Sequence, residues 1–213
     1  VRILDGDPLV ILQSLIDQLK LKKTEKDLPP FVGGAMGYMS YEFGMQLMGV
    51  MPMHVDELET PDLLYCFYDK VIVFDHEMKD LYFFAISESS DKAQKLVNEV
   101  MKDALHGIER EDRSHFGRRA AVKIIPHMKK DHYVERVGKI QKYLRSGNTY
   151  QVNFSYRFSF DTAEDPWEIF KRLHDVNPSP CSVFFDFPDL KVISSSPERL
   201  ISLRGSVLQT RPI

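Results

Sequence analysis

The 213-residue chain carries 28 lysines and arginines against 31 aspartates and glutamates, a net charge of −3, so the basic footprint of a nucleic-acid binder is missing from its totals. Hydrophobic residues make up 43% and charged residues 28%, enough apolar surface to offset the entropy of ordering, which excludes disorder as the main state. No apolar run approaches the roughly 18 residues that suggest a membrane span, and the two distant cysteines, Cys66 and Cys181, signal neither a disulfide framework nor a zinc site.

Asp7-Pro8 is a capping residue followed by proline at the first helical position, and Leu12, Leu15, Ile16 and Leu19 follow at helical spacing, which predicts a helix over about 8–21. Phe31 to Gly44, with Gly33-Gly34 and Gly37 among aromatic residues, predicts a strand where backbones approach closely, or a bulged one. The β-branched and aromatic runs 63–75 and 80–87, parted by a short polar break, predict an antiparallel hairpin packed centrally. Leu96, Val97, Val100, Met101 and Ala104 give one apolar helical face over 91–105. Residues 106–121 are polar and charged and read as an exposed connection, its arginines included.

A helix is expected again over 131–146, with Val134, Val137, Ile140 and Leu144 as the buried stripe and Gly147 as the left-handed stop. Thr149 to Phe160 alternates as a strand, with Gln151 and Asn153 on one side of it. Asp165-Pro166 opens a helix to about Val176, in which Trp167 reads as a packing anchor. Residues 181–187 and 190–195 are strand-like, Ser196-Pro197-Glu198 looks like the capped start of a short helical turn, and 206–211 is the last strand. Strands come in hairpin-like groups without βαβ alternation, so the fold class is α+β, with largely antiparallel sheets and helices packed outside.

General motifs add little: no phosphate loop, zinc-protease or nucleophile-elbow pattern occurs, and the seven histidines lack metal-ligand spacing. Four blocks in the second half are more specific. They are Gly147-Asn148-Thr149-Tyr150-Gln151-Val152-Asn153 with Arg157-Phe158, then Asn177-Pro178-Ser179-Pro180, then Ser195-Ser196-Pro197-Glu198-Arg199, then Thr210-Arg211-Pro212-Ile213. With Gly33-Gly34-Ala35-Met36-Gly37-Tyr38 and Tyr41-Glu42, they resemble the chorismate-utilising enzymes, a family that includes component I of aminodeoxychorismate synthase and of anthranilate synthase. The likeness is densest over 133–213 and looser over 1–125.

The resemblance implies the N-terminal portion of that family's fold, with 1–125 as a looser region, 126–213 as the start of the chorismate-binding region, and the C-terminal half missing. The implied reaction is amination of chorismate to 4-amino-4-deoxychorismate, for para-aminobenzoate and folate synthesis. The alternatives are conversion to anthranilate and pyruvate, or a regulatory or partner-docking piece without turnover. It also implies ammonia, a glutamine amidotransferase subunit, and Mg²⁺ held by ligands in the missing half, with no nucleic acid and no membrane. A reducing cytoplasm is the expected setting.

Among residues, the resemblance assigns proton transfer to Glu198; the alternative is an acid that complements the dipole of a first helical turn. Thr210 and Arg211 are expected at the substrate, where Arg211 pairs with a carboxylate or else with an internal acid. Asn177, Pro178, Ser179 and Pro180 form a rigid turn, which in the family borders a tryptophan pocket. Anthranilate synthases usually follow that turn with Tyr-Met, where this chain has Cys181-Ser182. They also more often have Phe-Gln-Val-Val where this chain has Tyr150-Gln151-Val152-Asn153, and both departures lean toward aminodeoxychorismate synthase.

Overall fold

A computed structural model of the protein describes residues 3–19, 28–51, 57–109 and 122–211. They fall into two compact units, residues 1–114 and 115–213. Among the described residues every sheet is a two-stranded antiparallel pair, so the expected α+β class with antiparallel sheets is what the chain forms.

In the first unit, helix α1 (Pro8–Gln18) starts where the capping signal predicts. The Asp7 carboxylate accepts from Leu9 N at 2.8 Å and Val10 N at 3.2 Å, which satisfies two orphan donors, and Leu12 is its buried residue. The helix ends at Gln18 with Leu19 as its C-cap, short of the predicted end at about residue 21.

The glycine-rich stretch divides differently from the single strand predicted over 31–44. Strand β1 (Gly34–Met39) is followed by helix α2 (Tyr41–Leu47). Ser40 makes the break: its hydroxyl caps Phe43 N at 2.9 Å and donates to the Asp62 carboxylate at 2.6 Å. Asp62 also takes Gln46 Nε2 at 3.1 Å, so one carboxylate ties both ends of α2 to the chain that enters strand β2 (Leu63–Tyr68).

The predicted hairpin over 63–87 is likewise redistributed. Its first run is two strands, β2 paired with β1 and β3 (Lys70–Asp75) paired with β4 (Asp80–Ala85). The β1–β2 register ends at Gly34 opposite Tyr68, where Gly33 and Gly34 take φ of 138° and 123°, a backbone that favours glycine. The chain then changes sheets at Asp69, whose carbonyl receives Ile86 N at 2.7 Å. Close approach is as predicted: Gly37 lies opposite Tyr65, and a Cβ there would run into the Leu64 carbonyl oxygen.

Helix α3 (Ser90–Glu109) lies on β3 and β4 with Ala93, Leu96, Val97, Val100 and Ala104 half-buried. Met101, assigned to that face by periodicity, turns outward and is exposed. Burial pushes the Tyr68 hydroxyl above its ordinary value, with the neighbouring Cys66 adding to the effect. The arginines of the predicted connection, Arg113 to Arg119, lie outside the described residues.

The second unit begins with β5 (Ile125–Pro126), helix α4 (Lys130–Arg145) and β6 (Phe158–Ser159). Gly147 stops α4 at φ 73°, as its position predicts. The stripe predicted on α4 is not buried. Val137 and Ile140 are half-covered, whereas Val134 and Leu144 are exposed. Of the strand predicted over 149–160, only Phe158 and Ser159 are paired.

Helix α5 (Pro166–Val176) has the predicted bounds, capped by the Asp165 carboxylate on Trp167 N at 2.8 Å. It packs on β7 (Cys181–Asp186) and β8 (Lys191–Ser196), a hairpin in full register from Cys181–Ser196 to Asp186–Lys191. Trp167, Phe170 and Phe184 hold this contact with ring centroids 5.3–5.7 Å apart, and Phe185 and Phe187 are buried. The last hairpin is β9 (Arg199–Arg204) with β10 (Val207–Arg211), turned at Gly205 with φ 58°.

Candidate active site

The β7–β8 ladder and the turn before it bring two of the four sequence blocks together. Asn177 ends α5, its N–H donating to Leu173 O at 2.9 Å. Its carbonyl accepts from Ser195 Oγ of β8 at 2.5 Å. Two residues on, the Ser179 carbonyl accepts from both the N–H of Ser182, at 3.1 Å, and its hydroxyl, at 2.8 Å. Residues 177–180 are therefore fastened to both strands of the hairpin, which fixes the backbone that two prolines already restrict.

Glu198 follows directly. The helical turn predicted at Ser196-Pro197-Glu198 is absent. Ser196 is the last rung of β8 opposite Cys181, Pro197 has no N–H with which to extend the ladder, and Arg199 opens β9, so Pro197-Glu198 is a two-residue link between hairpins. What remains of the cap is a long bond from Glu198 N to Ser196 Oγ at 3.4 Å. The dipole alternative for Glu198 loses its basis, because there is no helix there to complement. Its carboxylate is exposed at the end of the link.

The fourth block comes to the same place. Across the β9–β10 pair, Arg211 lies opposite Arg199, next to Glu198 in the chain, and the register slips between Gln209 and Arg211, at Thr210. Like charges directly opposite each other weaken a strand pair. No ion pair of Arg199 or Arg211 is found among the described residues. Arg199 and Arg211 are both exposed at this end of the hairpin, and Glu198 precedes Arg199 in the chain. Arg199 was not singled out from the sequence as a partner of Arg211. The signal, the arginine after Ser-Pro-Glu, was in the block, but the cross-strand register that gives it a partner is non-local.

The first block stands apart. No hydrogen bond or ring contact among the described residues joins 147–153 to this end of the hairpins. Its own bonds are local, from Ser146 Oγ to Asn148 Oδ1 and from Thr149 Oγ1 to Gln151 O. Gln151 and Asn153 are exposed. The described residues contain no group of three or more His, Cys, Asp or Glu side chains that could hold a metal ion. No described helix is long and apolar enough to cross a membrane.

Residues 6–213 match the chorismate binding enzyme family. Aminodeoxychorismate synthase component 1 of Bacillus subtilis (strain 168) is 32% identical over 98% of this chain and 45% of its own length. Anthranilate synthase component 1 of Lactococcus lactis subsp. lactis is 28% identical over 98% of this chain and 46% of its own. A crystal structure of anthranilate synthase component I from Streptococcus pneumoniae TIGR4 superposes with a TM-score of 0.78 at 25% identity, covering 97% of this chain and 47% of that one. The chain thus spans about half the length of the curated relatives it matches.

Proposed function

Because the chain belongs to the chorismate binding enzyme family, we propose that the whole protein is component I of an aminodeoxychorismate synthase. It replaces the ring hydroxyl of chorismate with an amino group and gives 4-amino-4-deoxychorismate, a precursor of para-aminobenzoate and folate. Chemically, the hydroxyl leaves as water once an acid protonates its oxygen; the carbon–oxygen bond breaks, ammonia forms the carbon–nitrogen bond, and the incoming nitrogen gives up a proton. Glu198 is the acid in this reading, and Arg211 with Arg199 holds a substrate carboxylate beside it, with Thr210 at the slip in β10. Ammonia comes from a glutamine amidotransferase subunit. Mg²⁺, which would balance the remaining substrate charge, would be held by the part of the polypeptide this chain does not span. The reducing cytoplasm suits its two free thiols, Cys66 and Cys181.

The observation that favours this product over anthranilate is the fastening of residues 177–180. Where anthranilate synthases usually place Tyr-Met after Asn-Pro-Ser-Pro, this chain has Cys181-Ser182, and Ser182 folds back onto Ser179 O. With Cys181-Ser182 in those places, the turn lacks the two large side chains of the tryptophan pocket. The test is product analysis with the whole protein, chorismate, Mg²⁺ and ammonia. Aminodeoxychorismate keeps the enolpyruvyl group, so no pyruvate is released and added tryptophan does not slow turnover. Stoichiometric pyruvate with anthranilate fluorescence overturns the assignment in favour of the second reading.

A further inference from the structure

Two serines stand opposite each other near the end of the β7–β8 hairpin. Ser182 pairs with Ser195, one rung before the last pair, Cys181 with Ser196. Both lie on the face that α5 covers. Phe184 and Ile193, two residues inward on each strand, share their side, and Phe184 packs on Trp167 and Phe170. Both hydroxyls end on the chain that leaves α5, but they reach different distances along it. Ser182 Oγ donates to Ser179 O, three residues back, where its own N–H already bonds at 3.1 Å. Ser195 Oγ donates to Asn177 O at 2.5 Å across 18 residues of chain.

Glu198 stands three residues beyond Ser195. Between them are the last rung, at Ser196, and Pro197, which has no N–H to extend the ladder. Within the link, Glu198 N reaches Ser196 Oγ at 3.4 Å, longer than a well-formed bond and so a weak restraint. The direction in which the chain leaves β8 toward Glu198 is therefore set upstream, by the pairing with β7 and by the Ser195 hydroxyl on Asn177 O. Alanine at 195 removes the second of these supports and leaves the first.

We propose that Ser195 is a positioning residue for Glu198: its bond to Asn177 O holds the end of β8 against the end of α5 and thereby aims the Glu198 carboxyl at the substrate. The inference rests on the reading of Glu198 as the acid, but not on which product forms. A reacting group displaced by 1 Å can lose about 10²-fold in rate. Loosening one of two supports costs part of that, and it costs the proton-transfer step rather than substrate binding, because Ser195 lies on the helix-covered face.

The test is steady-state kinetics of the whole protein with chorismate, ammonia and Mg²⁺, comparing wild type, Ser195→Ala, Glu198→Gln and the two changes together, each below its own Tm. Ser195→Ala is expected to lower kcat about 10-fold with KM within about 2-fold. Ser195→Thr, which keeps the hydroxyl, restores at least about half of the wild-type kcat. In the Glu198→Gln background, Ser195→Ala is expected to change kcat by less than about 2-fold, because a misaimed amide has no proton transfer left to lose. Ser195→Cys, close to serine in size and a weaker donor, carries the same cycle with an intermediate loss should the alanine variant not fold. An equal fall in kcat with and without the Glu198 carboxyl overturns the proposal, since Ser195 then acts on the fold at large. Unchanged kcat in Ser195→Ala beside a large fall in Glu198→Gln overturns it too, and leaves the acid in place. Normal turnover by Glu198→Gln removes the acid and this proposal together.

Discussion

Replacing Gly37 with alanine puts a methyl group where β1 and β2 already touch. The added Cβ would overlap the Leu64 carbonyl oxygen and stand 2.7 Å from Tyr65 Cα and 2.8 Å from Tyr65 Cγ. All but one of these neighbours is backbone, so no side-chain rotation relieves the clash and the strands must part. Overpacking alone costs about 1–3 kcal/mol. Parting the strands at the middle of a six-rung ladder adds about 1 kcal/mol for each hydrogen bond lost. The sum, roughly 3–5 kcal/mol, corresponds to a Tm at least about 10 °C lower for a unit of this size. Gly44 is the control. It lies inside α2 with nothing within 4 Å of its virtual Cβ, so Gly44→Ala should stabilise by about 0.5–1 kcal/mol through helix propensity. Thermal melts followed by near-ultraviolet circular dichroism compare the two variants. A Gly37→Ala protein within 1 kcal/mol of wild type would refute the close-approach reading of β1.

Alkaline pH should weaken the same unit through Tyr68. Its hydroxyl is raised above 10.0 in the folded chain, so as pH climbs through 10 the unfolded chain loses that proton first and stability falls until the folded group also titrates. Tyr68→Phe should reduce the drop in Tm between pH 9 and 11, and an identical drop in the variant counts against burial as the cause. At the other end of the chain, Arg199→Leu removes a like-charge pair, so the β9–β10 hairpin should gain a few tenths of a kcal/mol. The same change should weaken chorismate binding by the whole protein about 10-fold, measured by equilibrium dialysis. Unaltered binding would remove Arg199 from the site.

What the sequence showed and what it hid divide along the range of the interactions involved. Helix α5 was legible to its last residue because Asp165 and Pro166 fix its start through bonds two residues long. Gly147 marked the end of α4 for the same local reason. The split of 63–75 into two strands was hidden, since it depends on pairing with different partners, β1 some thirty residues earlier and β4 just after. Residues 149–157 carry a genuine strand pattern, but pairing needs a neighbour that the pattern does not name. At the site, Ser196-Pro197-Glu198 has the composition of a helix start, yet the ladder through Ser196 takes precedence over the cap. The residue types proposed for proton transfer and carboxylate binding were visible as motifs. That Arg199 faces Arg211 was not, because an irregular register decides it.

The most direct measurement is the kinetics of Glu198→Gln in the whole protein. The amide keeps the size and hydrogen-bonding shape of the acid and cannot supply the proton. Chorismate should therefore bind with roughly the wild-type Kd, while kcat falls by about 10²-fold or more, the scale of losing a general acid. Near-normal turnover by the Gln variant would contradict the account and leave Glu198 as no more than the link between two hairpins.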